Sequence, residues 1–249
     1  GEGLTDSYGP LPVLSETGVW EGSPVGDAEG HILSEGSFVM NLPFINTTLV
    51  KSTDKPRSYK DLLDPKWKGK ILVGDPQTTP VTPRFYVTMT KSGLMDDDYF
   101  RGLAKQEIKL ASNLRDLNFM VAKGDMAMNL ISSIPTMAPI AKEGPPVEPL
   151  EMVEGTPVTP IGIAIALLKG APHPNAAKVF VNWLLSKEGQ TVNQVSKAGR
   201  SIRKDVTDFT SSNIKISPKK YLLQDVPLLM EAAAVQKQGK MNVLLGIAK

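Results

Sequence analysis

The sequence predicts an α/β fold, a mostly parallel sheet covered by helices. Three observations carry that expectation. Short apolar runs of strand length, such as Ile71 to Gly74, alternate with segments of about ten residues whose apolar positions recur at helical spacing. Pro and Gly mark opposite helix ends, Pro83 against Gly93 and Pro174 against Gly189. The composition is that of a globular chain, 249 residues with 41% apolar and 22% charged, enough for one large or two modest domains.

Residues 1–36, rich in Gly, Pro and Ser, show no periodicity and read as irregular. Ser37 to Leu42 forms a strand, and Asn46-Thr47-Thr48 is turn chemistry. A short helix follows over Ser58 to Leu63, with Ser58 as its cap and Asp61 near the positive end of the dipole. The strand Ile71 to Gly74 leads through a Pro- and Thr-rich loop into a helix from Pro83 to about Ser92. A second helix starts in Asp96-Asp97-Asp98 and runs to about Lys105. The strand Glu107 to Ala111 is followed by a helix from Ser112 or Asn113 to Lys123, stopped by Gly124. Met126 to Ile131, Val147 to Val153 and Ile161 to Leu168 are further strands. The clearest helix begins at Pro174, where Ala176, Ala177, Phe180, Trp183 and Leu184 share a stripe. Beyond Gln190 the sequence predicts a helical, surface-wrapping tail in which Asp225 caps a helix through Met230, Ala233 and Ala234.

Several functions are disfavoured by composition. With 28 Lys+Arg against 26 Asp+Glu interleaved along the chain, no basic stripe offers itself to nucleic acid. The longest apolar run, Ile161 to Leu168, falls well short of the ~20 residues of a membrane-spanning helix. Cysteine is absent, so disulfide scaffolds, thiolate zinc sites and cysteine nucleophiles are excluded. There is no Gly-x-Ser-x-Gly elbow, Walker loop or His-Glu-x-x-His motif, and an enzyme is not expected. His31 and His173 stand alone and suit surface or capping roles, so neither a metal site nor a cofactor is expected.

Three blocks, 58–76 (SYKDLLDPKWKGKILVGDP), 154–190 (EGTPVTPIGIAIALLKGAPHPNAAKVFVNWLLSKEGQ) and 200–206 (RSIRKDV), are similar in order and spacing to the bacterial extracellular solute-binding proteins of ABC importers. The resemblance is to the group that includes the ferric-iron-binding periplasmic proteins, and it covers most of residues 36–206. It implies a two-lobe type II periplasmic binding fold with hinge strands at about 37–42 and 154–164. Lobe I would comprise 1–40 and 160–249, including the C-terminal helices, and lobe II 41–159. It further implies a periplasmic or extracellular protein, a monomer when complete, that hands a small polar or anionic ligand to ABC permease subunits. Members of this group open with two more strand–helix units, so the first lobe is expected to be incomplete by roughly 60–80 residues, at ~30 or more per unit. Such a lobe would expose sheet edges and apolar helix faces. Ferric-ion binding through other ligands, and a sensory module of the same fold, are the alternatives.

In this fold, ligand contacts come from loops at strand C-termini and from helix N-termini, where free N–H groups and the dipole favour anions. Thr78, Thr79 and Thr82 keep the hydroxyls of the relatives' anion-binding loop, while Pro80 and Pro83 each remove a donor. Ser112 and Asn113 open the next helix, and Arg115 offers a guanidinium fork. Iron-binding relatives carry two adjacent tyrosines where this chain has Asn129-Leu130-Ile131-Ser132-Ser133, and none of the tyrosines at 8, 59, 86, 99 and 221 adjoins another. Asn129, Ser132 and Ser133 therefore suit a polar or oxyanion ligand better than a trivalent metal. From the other lobe, Asn41 at the hinge and Arg200 complete the candidate set. These loops lack an acidic cluster, and an anionic ligand is expected.

Overall fold

A computed structural model describes residues 3–20, 25–35, 37–141, 143–159, 164–197, 200–206 and 220–247. Among the described residues eleven strands run in the order β1 Thr5–Asp6, β2 Ile32–Ser34, β3 Ser37–Asn46, β4 Ile71–Gly74, β5 Lys109–Ala111, β6 Met128–Ser133, β7 Val147–Pro149, β8 Thr156–Thr159, β9 Ala164–Leu168, β10 Arg200–Ser201 and β11 Tyr221–Leu223. The helices are α1 Val81–Lys91, α2 Asp97–Ala104, α3 Leu114–Lys123, α4 Ile134–Ala141, α5 Pro174–Leu184, α6 Lys187–Lys197, α7 Val226–Gln238 and α8 Lys240–Leu244. The chain divides into two units, residues 1–39 with 159–211 and residues 40–158 with 212–249.

In the first unit β9 is the centre of a three-stranded antiparallel sheet, flanked by β1 and β2. Residues 1–36 are thus not wholly irregular. The Thr5 and Leu33 strands form because β9, far along the chain, supplies their partner, which no local pattern signals. Tyr8, Leu11, Val13 and Trp20 pack with Leu33, Leu167, Val181 and Leu185. The Trp20 indole N–H donates to the Val13 carbonyl at 2.8 Å, so the buried polar edge is satisfied. On α5, Val181 faces this core while Val179 and Phe180 are exposed. Gly189 does not end α5 but lies inside α6, where a Cβ would sit 2.1 Å from the Trp183 carbonyl oxygen. Only glycine permits that approach of the two helices.

The larger sheet runs in the order β11-β8-β3-β6-β4-β5, with β7 and β10 also pairing β3. Strands β4, β5 and β6 are parallel neighbours, and β3 is antiparallel to β6. Along β4, Ile71 and Val73 enter one apolar cluster and Leu72 the other, as expected of a strand buried on both faces. Ser58 and Asp61 form a capping box, but on a 3₁₀ turn over Tyr59–Leu63 rather than an α-helix. Helix α2 is capped by Asp96, and α3 is capped by Asn113 and closed by Gly124 at φ 84°. Helix α4, which follows β6 directly, gives no signal because Pro139 stands inside it, where a proline removes a helical hydrogen bond.

The C-terminal helices require a correction. Asp225 does cap α7. Leu228, Ala232 and Val235 of α7, and Met241 and Leu244 of α8, are buried in the core of the second unit with Phe85, Met89 and Phe100. They belong to that unit, not to lobe I, because their apolar stripe matches the face of α1. Strands β3 and β8, neighbours in the sheet, carry the chain across the unit boundaries at 39/40 and 158/159. Residues 160–163 of the expected second hinge segment lie outside the described residues.

Candidate functional site

Because β4, β5 and β6 are parallel, their carboxyl ends reach one edge of the second unit's sheet. The loops 75–80 and 112–113 and the junction of β6 with α4 gather there. Asp75 organises the first loop. Its N–H donates to the Ala111 carbonyl at 3.0 Å, and its own carbonyl accepts from the Thr78 and Thr79 N–H groups at 3.1 and 2.8 Å. The Gln77 N–H donates to its carboxylate at 2.8 Å.

The three threonines differ in what they can offer a ligand. Thr79 Oγ1 donates to the Asp75 carbonyl at 3.0 Å, and the buried Thr82 hydroxyl donates to the Gly74 carbonyl at 2.6 Å. A Cβ on Gly74 would lie 2.6 Å from Thr79 Oγ1, so a larger residue there would displace the Thr79 side chain. Thr78 is exposed, and among the described residues its hydroxyl holds only a 3.4 Å contact with the Ser112 carbonyl, which brings loops 75–80 and 112–113 together. Helix α1 starts at Val81, not Pro83, and its N-cap position is Pro80, which makes no side-chain cap. Among the described residues the Val81 and Thr82 N–H groups have no acceptor, so the positive end of α1 is left open.

One turn into α1 stands Arg84, half-buried, with no ion pair or hydrogen bond to its guanidinium among the described residues. Burial alone pulls its pKa below the ordinary arginine value. The sequence alone does not reveal this cation, since an Arg after Pro83 carries no motif. Arg115, the cation it did single out, is exposed, with its guanidinium 5.5 Å from the Phe119 ring centroid. Asn113 accepts the Arg115 N–H at 2.9 Å as the cap of α3, and Ser112 is exposed beside it. The loops are not free of carboxylates, for Asp75 and Asp116 flank these groups.

At the end of β6 the structure separates candidates that the sequence grouped. Asn129 and Ser132 are 0% and 1% exposed, and both donate to the Asn118 side-chain oxygen, at 2.9 and 2.7 Å. Asn118 Nδ2 in turn donates to Thr136 Oγ1 at 3.1 Å. Asn129 and Ser132 thus tie β6 to α3 and have no polar group turned toward solvent. Ser133 shares a 2.9 Å hydrogen bond with Thr136 and pairs in register with Asn41 of β3. The Arg200 side chain lies outside the described residues, while its backbone pairs with Phe38. His173 precedes α5 without a side-chain capping bond, and His31 Nδ1 lies 3.2 Å from Thr5 Oγ1. The Thr78–Ser112 contact brings the loop of Thr78, Thr79 and Thr82 beside that of Ser112 and Asn113, while Arg115 lies over Phe119 on α3 and Arg84 stands one turn into α1.

A profile described as bacterial extracellular solute-binding protein matches residues 28–195. A putative 2-aminoethylphosphonate-binding periplasmic protein of Salmonella typhi is 29% identical over 180 residues, 67% of this chain and 50% of its own. The chain thus spans half the length of that relative. Among solved structures, the periplasmic binding protein AfuA of Actinobacillus pleuropneumoniae, with exogenous fructose-6-phosphate bound, matches with TM-score 0.75 at 23% identity, covering 99% of this chain and 78% of that one. Iron-bound HitA of Pseudomonas aeruginosa matches with TM-score 0.72 at 21% identity, covering 95% and 76%. The mixed α/β architecture is that of the type II periplasmic binding proteins. The profile match extends over more than half of the sequence, and the chain belongs to the bacterial extracellular solute-binding protein family.

Proposed function

We propose that the chain is the solute-binding component of an ABC importer, exported from the cytoplasm, and that it takes a small phosphonate or phosphate-ester anion. The observation that carries the ligand class is Arg84, a half-buried guanidinium without a counter-charge among the described residues, in the same first turn of α1 as two open N–H groups. Holding an unpaired arginine away from water costs free energy that an anionic ligand would recover. Val81 and Thr82 N–H and the Thr78 hydroxyl would share the remaining oxygens of a tetrahedral anion. The Salmonella relative's name and the AfuA ligand support the same class, since both molecules carry a tetrahedral phosphorus oxyanion. Asp75 and Asp116 leave room for a ligand that also bears a cationic group, such as a zwitterionic aminophosphonate.

Calorimetry decides this with 2-aminoethylphosphonate, fructose-6-phosphate and inorganic phosphate set against spermidine. The expected result is binding of at least one of the three anions and none of the polyamine. Arg84→Met should weaken the anion about tenfold or more, the scale of a hydrogen bond to a charged group. Arg115→Met should weaken it less. Binding of the polyamine alone, or an Arg84→Met variant with unchanged anion affinity, would overturn the assignment.

A further inference from the structure

We infer that Gln236, on α7, is a positioning residue that holds the 75–79 loop in the shape the anion needs, an inference resting on the reading of that loop as the ligand loop. Its Nε2 donates to the Pro76 carbonyl at 2.9 Å and lies 3.4 Å from the carbonyls of both Gln77 and Thr79. The N–H groups of residues 77, 78 and 79 are all turned to Asp75. The loop is therefore gripped from two sides, with donors gathered by Asp75 and carbonyls met by one amide from α7.

Because each peptide unit is planar, fixing the Pro76 carbonyl also fixes the direction of the Gln77 N–H. Fixing the Gln77 and Thr79 carbonyls likewise orients the units that carry the Thr78 N–H and the chain entering α1. Glutamine is matched to this task, because its amide presents two donors to the loop and its length spans the gap from α7. The amide is not what seats the helix: Leu228, Ala232 and Val235 are buried in the core, and Lys91 pairs with Glu231 at 2.6 Å. Gln236 is half-buried in the last turn, after those anchors.

The test compares Gln236→Met, which keeps the stem and removes the donors, with Gln236→Lys, which returns a donor of similar reach. Both are made in the full 249-residue chain. Amide hydrogen exchange at residues 77–79 needs no ligand, and calorimetry uses 2-aminoethylphosphonate and inorganic phosphate as probes. Met should speed exchange at those three amides about three- to tenfold, the equivalent of one lost hydrogen bond, and weaken the bound probe by a similar factor. The melting temperature should move by less than about 3 °C, and Lys should restore both readouts. Unchanged exchange in the Met variant, or a Lys variant that behaves like Met, would overturn the inference. If the unsubstituted protein binds neither probe but exchange still rises in the Met variant, Gln236 keeps its hold on the loop and the ligand reading alone fails.

Discussion

Ser132 Oγ donates to Asn118 Oδ1 across 2.7 Å, joining β6 to α3 through two side chains that water does not reach. The same oxygen accepts from Asn129 Nδ2 at 2.9 Å, so one carboxamide satisfies two buried donors. It thereby sets the spacing of β6 and α3.

Replacing Asn118 with Ala should orphan both donors at once. The expected loss of stability is about 2–4 kcal/mol, read from denaturant unfolding, given roughly 1–3 kcal/mol for each unsatisfied buried group. A loss below about 0.5 kcal/mol would show that Asn129 and Ser132 find other partners and are free to meet a ligand.

Titration with ferric citrate should give no phenolate-to-iron absorbance. Tyr99 donates its hydroxyl to the Tyr59 carbonyl at 3.0 Å, and burial pushes both phenols well above their ordinary pKa. Tyr86 donates to Asp97 at 2.6 Å, and burial, followed by that hydrogen bond, raises its pKa too. A visible band would place iron on a tyrosine set that this geometry does not assemble.

Acid should weaken the first unit through Asp205. Hydrogen bonding from Arg203, at 2.7 Å, holds the Asp205 carboxyl below the usual carboxylate range. Arg203 is 3% exposed, also pairs with Glu16 and lies over Trp20. A depressed folded-state pKa stabilises above the unfolded value near 3.9, and that contribution is lost as pH falls through the folded value. Asp205→Asn should therefore cost about 1 kcal/mol at pH 7. The gap from the unsubstituted protein should close below about pH 4. A gap independent of pH would assign the effect to packing instead.

Gly189→Ala should cost about 2–3 kcal/mol, because the new methyl meets the Trp183 carbonyl at 2.1 Å and backbone must move. Hydrogen exchange should rise along α5 and α6 while α3 and β6 stay protected. Exchange rising equally in both units would show that they unfold together.

Much of the second unit was legible in the sequence, because its signals are local. Asn113, Gly124, Asp96 and Asp225 each announce a helix end through a hydrogen bond within a few residues. What stayed hidden depends on partners remote in the chain. Strands β1 and β2 exist because of β9, and the place of α7 follows from the apolar face of α1. The candidate site divides the same way. Thr78 and Asn113 could be read from turn chemistry. The withdrawal of Asn129 and Ser132 into a buried network follows from Asn118, and that Arg84 has no partner among the described residues becomes visible only when its surroundings are known.

The hydrogen bond from Gln236 to Pro76 spans 160 positions of sequence. During synthesis the loop at 75–79 emerges long before the helix that braces it, and the whole first-unit insertion of residues 159–211 is made in between. Closing so long a connection is slow and entropically costly. A nascent chain would therefore carry the 75–79 loop unbraced until α7 docks. Chain order alone thus makes the bracing of this loop a late event in the assembly of the second unit.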